Sequence, residues 1–520
     1  MGRNLLPSIF NDVIGPVMRG PSSSHSAASV RIGLLLHDLC GGVPDRVELD
    51  YDTMGSLATT HLSQGTDMGL YGGLLGWGAD DERLPDAPAT LRGHGTTIEV
   101  RKPELNDPHP NTYRILVGRG SVEHRVVALS TGGGMIEVIS IDGFDVSLFG
   151  DYATTLIHLS NDGETAAKQL GQATEVDQVA VSVSDSNASL VTVGSAKPLP
   201  EHLTAELGEV VSIHRLRSVL PVLSRQGLSV PFSHAGELPA DALTSRPLSD
   251  WAIEYECARG GIDQTEVLRQ ARTMLDIMAA GVATGLAGTS YDDRILGWQS
   301  GRFNEMASAG QLIDGGILNR MIGYVTALME AKSAMEVIVA APTAGSCATF
   351  PGALLATIDA LDVGAKAAER ALLTGGLIGV FVTNRSSFAA EEGGCQAETG
   401  AGAAMAAAAL VELGGGSAAQ SLSAASQALQ NVLGLICDPV GNRVEAPCLG
   451  RNVAGAANAL SCANMALAGY DHLIPFDEVL DAHRNVSELM ARELRCTGLG
   501  GLAVTPTAQR IELGLTRRAR

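Results

Sequence analysis

Three cysteines in the second half of the chain, Cys395, Cys437 and Cys448, each stand in a short segment punctuated by glycine or proline and flanked by polar residues. The segments read Glu391-Glu392-Gly393-Gly394-Cys395-Gln396, Gly434-Leu435-Ile436-Cys437-Asp438-Pro439-Val440 and Val444-Glu445-Ala446-Pro447-Cys448. No pair has the C-x2-C spacing of most zinc knuckles. Thiolates in such settings suit the ligands of one iron–sulfur cluster. Three of them leave one coordination position open, and in a cube of four irons an iron without a protein thiolate binds substrate as a Lewis acid instead of passing electrons. A single buried cysteine is as readily core as ligand; the set together points to a metal.

Two polar loops have the composition to hold an anion. Gly20-Pro21-Ser22-Ser23-Ser24-His25-Ser26 places hydroxyls and an imidazole just before the helical pattern of Ala27–Leu39. Serines there also serve simply as helix caps, but hydroxyls and free N–H groups at the positive end of a helix suit a carboxylate. His25 is then the group for proton transfer. Ala340-Ala341-Pro342-Thr343-Ala344-Gly345-Ser346-Cys347 is a second loop opening a helix, with Thr343 as a substrate contact and Cys347 ranked behind the other three cysteines as a ligand. Arg451 and Asn452, one turn past Cys448, offer a guanidinium and an amide to a carboxylate; the bland alternative for Arg451 is a surface ion pair. Gly65-Thr66-Asp67 is compatible with an ordinary turn. Cys40, Cys257, Cys462 and Cys496 lack polar punctuation and read as core or incidental residues.

These groups need a multidomain scaffold. At 520 residues the chain exceeds what one core organises. Residues 1–148 mix polar loops, glycine turns and short β-branched runs such as Thr96–Val100 and Arg125–Leu129, an α+β domain. Residues 150–225 spell β-α-β-β-α-β, a ferredoxin-like module: Thr154–Leu159, the turn Asn161-Asp162-Gly163, Glu164–Gln172, Val179–Val183, Leu190–Val193 and Glu201–Leu207. Residues 226–247 read as a linker. Residues 248–520 are Ala- and Gly-rich with long helical windows, a mainly α-helical domain carrying the cysteines, in which Ala403–Leu413 reads as a tightly packed buried helix. A net charge of -21 argues against nucleic acid and anionic membrane surfaces, leaving small molecules and further copies of the chain as partners. Eight unevenly spaced cysteines, and a Met1–Pro16 stretch unlike a secretory leader, fit a reducing cytoplasm. No apolar run reaches the roughly 20 residues of a membrane span.

Over most of its length the chain resembles the oxygen-sensitive iron–sulfur L-serine dehydratases, or L-serine ammonia-lyases. The matching residues are Gly20–His25, Ala340–Cys347, Glu391–Glu398, Gly434–Val440, Val444–Cys448, Arg451-Asn452, Gly455–Asn458 and the tail Gly498–Thr507. The resemblance implies a [4Fe–4S] cluster held by Cys395, Cys437 and Cys448, with Cys347 not a ligand. It implies that the small and catalytic parts, separate subunits in some members, are fused here, and that the β-α-β-β-α-β module is an ACT-like regulatory unit. An amino-acid effector would then bind at Asn161-Asp162-Gly163, at an interface between copies in a homodimer or larger homo-oligomer. The implied reaction converts L-serine to pyruvate and ammonia. His25 removes the α-proton, Ser22, Ser23, Ser24, Thr343, Arg451 and Asn452 orient the substrate, and the cluster assists loss of the β-hydroxyl.

The chain departs from the family pattern in three places. His61-Leu62-Ser63-Gln64-Gly65-Thr66-Asp67 stands where the family has Gly-Lys-Gly-His-Gly-Thr-Asp, so Gln64, which cannot act as a base, replaces a histidine. Gly288–Gln299, with Tyr291, Arg294 and Trp298, stands where the family has Ser-Gly-Leu-Thr-Gly-Gly-Asp. Thr516–Arg520 lacks the terminal cysteine that plugs the cluster in some members. These differences keep open the same chemistry on another small β-substituted amino or hydroxy acid, cysteine desulfidation among them. A pyridoxal-phosphate enzyme fits poorly, since the catalytic half offers only Lys332 and Lys366 and neither sits in a phosphate cup. A catalytically dead amino-acid sensor is opposed by retention of all three cysteines together with His25.

Overall fold

Alternation of inward and outward residues, and then the helical windows that follow, set the architecture of the computed structural model, which describes residues 6–161, 163–184, 187–205 and 207–518. Asp162 of the expected effector turn, residues 1–5 of the Met1–Pro16 stretch and residues 519–520 of the tail lie outside the described residues. The chain divides into two units: residues 25–229 with Leu6 and Arg259–Gly261, and residues 7–24, 230–258 and 262–520.

The first unit holds two sheets. Six strands run in the order Thr97–Arg101, Arg46–Asp50, Thr112–Arg119, Val122–Gly132, Met135–Ile141, Phe144–Leu148. The first pair is parallel and the others antiparallel. Along Val122–Gly132 the inward set His124, Val126, Ala128, Ser130 and Gly132 follows the two-residue period of a strand with one buried face. Ile32, Leu35, Leu36 and Leu39 of the helix Ala28–Leu39 join Val47, Leu49, Tyr113 and Val126 in the core. The second sheet is antiparallel, ordered Val210–Leu216, Ala153–Leu159, Ser189–Ser195, Val176–Val183. With the helices Gly163–Leu170 and Glu201–Ala205 it completes a β-α-β-β-α-β order around Ile157, Leu170, Val191 and Val193.

The second unit is helical. Gln264–Ala287, Ile317–Ser333, Thr349–Leu361, Ala365–Arg385, Ala418–Gln430 and Cys448–Leu467 are among its helices, and Ala401–Leu413 runs among several of them with every residue through Val411 buried. Alanine on all sides of that helix lets its neighbours approach closely. Gly375 marks one such approach, where an added Cβ would lie 2.6 Å from the Phe350 ring and 3.1 Å from the Met405 carbonyl. Residues 230–247 are largely irregular but docked: Phe232 is buried against Trp251, Tyr255 and Phe381, and Asp477 accepts from the Ala235 and Gly236 amides. The N-terminal segment 7–24 is packed into this unit as well. Val17–Met18 pairs antiparallel with Ile338–Val339, and Gly15 donates to Ala340 O at 2.8 Å, which sets the Ser22–Ser24 loop beside the loop that follows Val339. No helix among the described residues is long and apolar enough to cross a membrane.

Candidate metal and substrate site

Cys395 sits at a joint between a short helix, Ala390–Gly393, and the π-helical turn Gln396–Gly400 that leads into the buried Ala401–Leu413 helix. Gly394 makes the joint. Its φ is +72°, and a Cβ there would meet Met490 Sδ at 2.7 Å and Leu435 O at 2.8 Å, so glycine is required. Cys437 lies in the loop after Ala418–Gln430, and Cys448 opens Cys448–Leu467. All three cysteines are buried and carry free thiols.

The thiol of Cys437 donates to Cys395, and this contact, with the positive charge of Arg451, holds Cys395 below the ordinary thiol range against the effect of burial. Ligand atoms of Cys395, Glu398 and Cys437 lie within 4.8 Å of one another, a group able to hold a metal ion. Cys448 is outside that close trio but near enough to sense Cys395 and Glu398; burial raises its thiol well above the ordinary range. Glu398 keeps some exposed surface, yet desolvation of its carboxyl and the neighbouring Cys395 push it up to about 8. Thr343 Oγ1 donates to Glu398 Oε1 at 2.7 Å. Gly345 lies so close to the same carboxylate that a Cβ would come within 2.6 Å of Oε1.

Within the same unit the serine loop lies against these segments. Ser24 Oγ donates to Glu391 Oε1 at 2.8 Å, and Ser23 Oγ accepts from Ala344 N at 3.3 Å, while Ser22 and Ser24 hydroxyls are 3.2 Å apart. Arg451 does not lie on the surface as an isolated ion pair. It donates from Nη1 to Cys395 Sγ at 3.4 Å and to Ile436 O at 2.8 Å, and from Nη2 to Asp438 Oδ1 at 2.6 Å. Asp438 Oδ2 in turn accepts from Leu502 N at 2.7 Å. Gly501, with φ +59°, packs so tightly on Asp438 that a Cβ would meet Oδ2 at 2.3 Å. The glycine-rich tail thus braces Asp438, Asp438 orients Arg451, and Arg451 faces Cys395.

Asn452 is fully buried, and its amide is used four times. Nδ2 donates to Gly345 O and Cys448 O, both at 2.9 Å, and Oδ1 accepts from Thr349 N at 3.0 Å and Thr349 Oγ1 at 2.8 Å. Two donor and two acceptor positions are all that an amide has, so Asn452 fastens the Cys448 helix to the Thr343–Cys347 loop and keeps nothing for a substrate. Cys347 is buried, and desolvation pushes its thiol up to about 11.

The division between the units falls after Ser24, and His25 belongs to the first. It is fully buried, and its Nε2 is hydrogen-bonded to Thr60 Oγ1 at 2.9 Å, while the Thr60 hydroxyl donates to Ser56 O at 2.7 Å. In the same unit His61 Nδ1 meets Asp67 Oδ2 at 2.9 Å, Tyr51 donates to Asp67 Oδ1 at 3.3 Å, and Gln64 is buried with its carbonyl accepting from Ser26 Oγ at 3.0 Å. In the second unit Glu445 accepts from the Ile295 and Leu296 amides at 3.1 Å each, and Tyr291 and Leu296 share a small crevice with Glu445 and Leu449, next in the chain to Cys448.

Sequence reasoning passed over Glu391 and Glu398 although both lie inside a segment that carried the family resemblance; acidic side chains in a Gly- and Ala-rich stretch were the available signal. It weighed Lys332 only as a pyridoxal-phosphate lysine, whereas the residue is fully buried with Nζ donating to Val444 O and its charge acting on Cys347 and Cys448. Cys496, read as core or incidental, is buried in a small core cluster with Cys395 and Cys437, and its thiol contacts that of Cys437.

Residues 163–503 match the model of the serine dehydratase alpha chain family. The chain is 39% identical over 265 residues to the probable L-serine dehydratase alpha chain of Bacillus subtilis, covering 51% of this chain and 88% of the relative. It is 39% identical over 263 residues to the L-serine dehydratase alpha chain of Peptoniphilus asaccharolyticus, covering 50% and 90%. It is also 33% identical over 217 residues to the probable L-serine dehydratase beta chain of Bacillus subtilis, covering 41% of this chain and 97% of the relative. The chain belongs to the iron–sulfur L-serine dehydratase family, with alpha-chain and beta-chain parts fused in one polypeptide.

Proposed function

We propose that this family member is a [4Fe–4S]-dependent lyase that converts L-serine to pyruvate and ammonia. The observation that carries the reading is the meeting of Cys395 and Cys437 thiols beside Glu398, facing the guanidinium of Arg451. The donor set fits the cluster: sulfur ligands without zinc-knuckle spacing, one of them already held below the ordinary thiol range, with a cation to offset the charge of the bound group. Cys395, Cys437 and Cys448 would hold it. When bound, the cluster supplies Lewis acidity that lets hydroxide leave near neutral pH, a service worth several kcal/mol in general.

The chain's own residues do the remaining work. Hydroxyls of Ser22, Ser23, Ser24 and Thr343 are the proposed contacts of the substrate carboxylate and amine. Asn452 is assigned to positioning rather than substrate contact, because its hydrogen bonds are spent within the protein. Arg451 is assigned to the cluster side for the same reason. His25 remains the proposed base for the α-proton. The Cα–H bond breaks toward that base, the Cβ–O bond breaks with hydroxide taking up a proton as water, and the electron pair left on Cα closes the double bond of aminoacrylate, which tautomerises and hydrolyses to pyruvate and ammonium.

The Tyr291–Trp298 segment, tied through its backbone to Glu445 near Cys448, favours a second reading in which the preferred substrate is another small β-substituted amino or hydroxy acid. The β-α-β-β-α-β sheet is proposed to be an ACT-like module that binds an amino-acid effector between copies of a homodimer or larger oligomer, in a cytoplasmic protein. Anaerobic purification with iron and sulfide quantitation, followed by pyruvate and ammonia assays on L-serine and a panel of β-substituted acids, tests these proposals. About four irons per chain with serine turnover supports the main reading, a full cluster with turnover of another acid supports the second, and protein without iron refutes both.

A further inference from the structure

We infer that His124 and His214 are ligands of a divalent transition-metal ion of the zinc class, held where the two sheets of the first unit pack together; the inference is independent of the cluster reading. His124 lies on the strand Val122–Gly132 of the six-stranded sheet, and His214 on Val210–Leu216, an edge strand of the four-stranded one. The two sheets share one apolar core that includes Leu39, Phe144, Leu156 and Leu216. His124 is buried and His214 half-buried, so the pair sits where that core gives way to solvent.

The Nδ1 atom of each ring is already committed. His124 Nδ1 donates to Asp142 Oδ2 at 2.8 Å, and Asp142 is itself fixed, with Oδ1 accepting from Arg125 N and its own amide donating to Arg125 O, both at 2.7 Å. His214 Nδ1 donates to Leu39 O at 2.9 Å. Carboxylate and carbonyl oxygens only accept, so in the neutral rings the proton sits on Nδ1 and the lone pair is left on Nε2. Metal-ligating histidines are mounted in this way, the second ring nitrogen donating to a carboxylate or a backbone carbonyl. Burial and then the neighbouring His124 hold His214 below the ordinary imidazole range, which favours the neutral form a metal requires.

The His124 Nε2 atom is buried and has no hydrogen-bond partner, on a side chain only 8% exposed. Desolvating a ring nitrogen without a partner is unfavourable. Other buried side-chain atoms share that condition, His483 Nε2 among them, but among the described residues His124 is the one with a second imidazole packed against it. The two ring centres are 5.0 Å apart with planes at 89°. Two imidazoles bound through nitrogen at about 2.0–2.1 Å to one tetrahedral ion have centres about 5 Å apart. Edge-to-face packing alone accounts for the spacing but leaves the unpartnered nitrogen without a use. Imidazole nitrogens select zinc and its neighbours in the first transition row over magnesium or calcium. Water reaches the remaining coordination positions from the half-exposed side at His214, and the bound ion ties the two sheets together.

Zinc chloride added to the anaerobic full-length holoenzyme tests this, with zinc and iron quantified after desalting, zinc K-edge absorption spectra and thermal midpoints. Wild type is expected to take up about one zinc per chain without losing iron, to show scattering from two imidazoles and no sulfur shell at about 2.3 Å, and to melt at a higher temperature with zinc than without. His124→Asn keeps a donor toward Asp142 while removing Nε2; it and His214→Asn should lose that zinc and the rise in midpoint, with iron unchanged. Asp142→Ala, which removes a positioning residue, should weaken zinc binding by about 10–100-fold. Equal zinc uptake by wild type and both histidine variants overturns the inference, as does a wild type that takes up no zinc or holds it by sulfur alone. If the variants fail to fold, the wild-type spectrum decides: two imidazoles sustain the site, and fewer remove it. Protein without iron refutes the cluster reading only, and the difference in zinc uptake between wild type and the histidine variants still decides this one.

Discussion

Replacing Asn452 by alanine separates a positioning role from a substrate contact. The amide makes four hydrogen bonds inside a fully buried setting. After truncation Cys448 O retains the i+4 amide of its own helix, and Thr349 N retains Ser346 O at 3.1 Å. The groups stripped of the contact described are Gly345 O and Thr349 Oγ1. A buried polar group deprived of its partner costs about 1–3 kcal/mol, so the two together should cost about 2–6 kcal/mol. The unit carrying Asn452 has roughly 300 residues, which at about 2.1 cal/mol/K per residue gives an unfolding entropy of roughly 0.6 kcal/mol/K. The thermal midpoint should then fall by about 3–10 °C. Anaerobic scanning calorimetry with iron quantitation measures this, and the loosened Cys448 helix should release iron faster. Asn452→Asp keeps the shape but points a carboxylate oxygen at Gly345 O and Cys448 O, so it should be at least as damaging. Were Asn452 instead a substrate ligand, the alanine variant would keep its midpoint and iron while KM rose; that result would refute the reasoning.

Asp438→Ala strips Arg451 of its anion and the tail of its anchor at Leu502, and loss of one partner of such a buried pair should destabilise by about 3–5 kcal/mol. A shift in urea midpoint and faster proteolysis near residues 498–507 would register it, and an unchanged midpoint would remove Asp438 from the bracing chain. Gly345→Ala drives a methyl against the Glu398 carboxylate and should cost about 1–3 kcal/mol along with turnover; a variant with wild-type midpoint and kcat would show that the close approach is idle. Glu412 is raised above the usual carboxylate range, chiefly by burial. The folded state therefore binds more protons than the unfolded one between the ordinary and the raised value, and the stability Glu412 contributes is present at low pH and lost as pH climbs through that window. Glu412→Gln should flatten the decline, measured as urea midpoints at pH 5 and pH 7, and a slope unchanged by the substitution would contradict the assignment.

Much of the architecture was legible because it follows local rules. Thr96–Val100 and Arg125–Leu129 fall within observed strands apart from Thr96, and the β-α-β-β-α-β order of the middle segment is present in the sheet, since two-residue alternation and turn residues act over a few positions. The burial of Ala403–Val411 followed from small side chains. The partners of Arg451 and Asn452 were not legible. Both have the chemistry to hold a carboxylate, and nothing in their spacing says that Asp438, thirteen residues earlier, and Gly345, more than a hundred earlier, claim them first.

The amino-acid sequence by itself determined which groups are present: thiols in polar, Gly- and Pro-punctuated segments, hydroxyl loops before helices, and a net charge of -21. Tertiary structure alone decided which of them meet. Cys496 looked incidental because its immediate neighbours carry no signal, and it reaches Cys437 only through a backbone bridge between segments nearly sixty residues apart. Glu398 gains a raised proton affinity from burial beside Cys395 and not from its position in the chain. Local sequence sets propensity over a few residues, while desolvation and thiol contact arise only where distant segments are packed together.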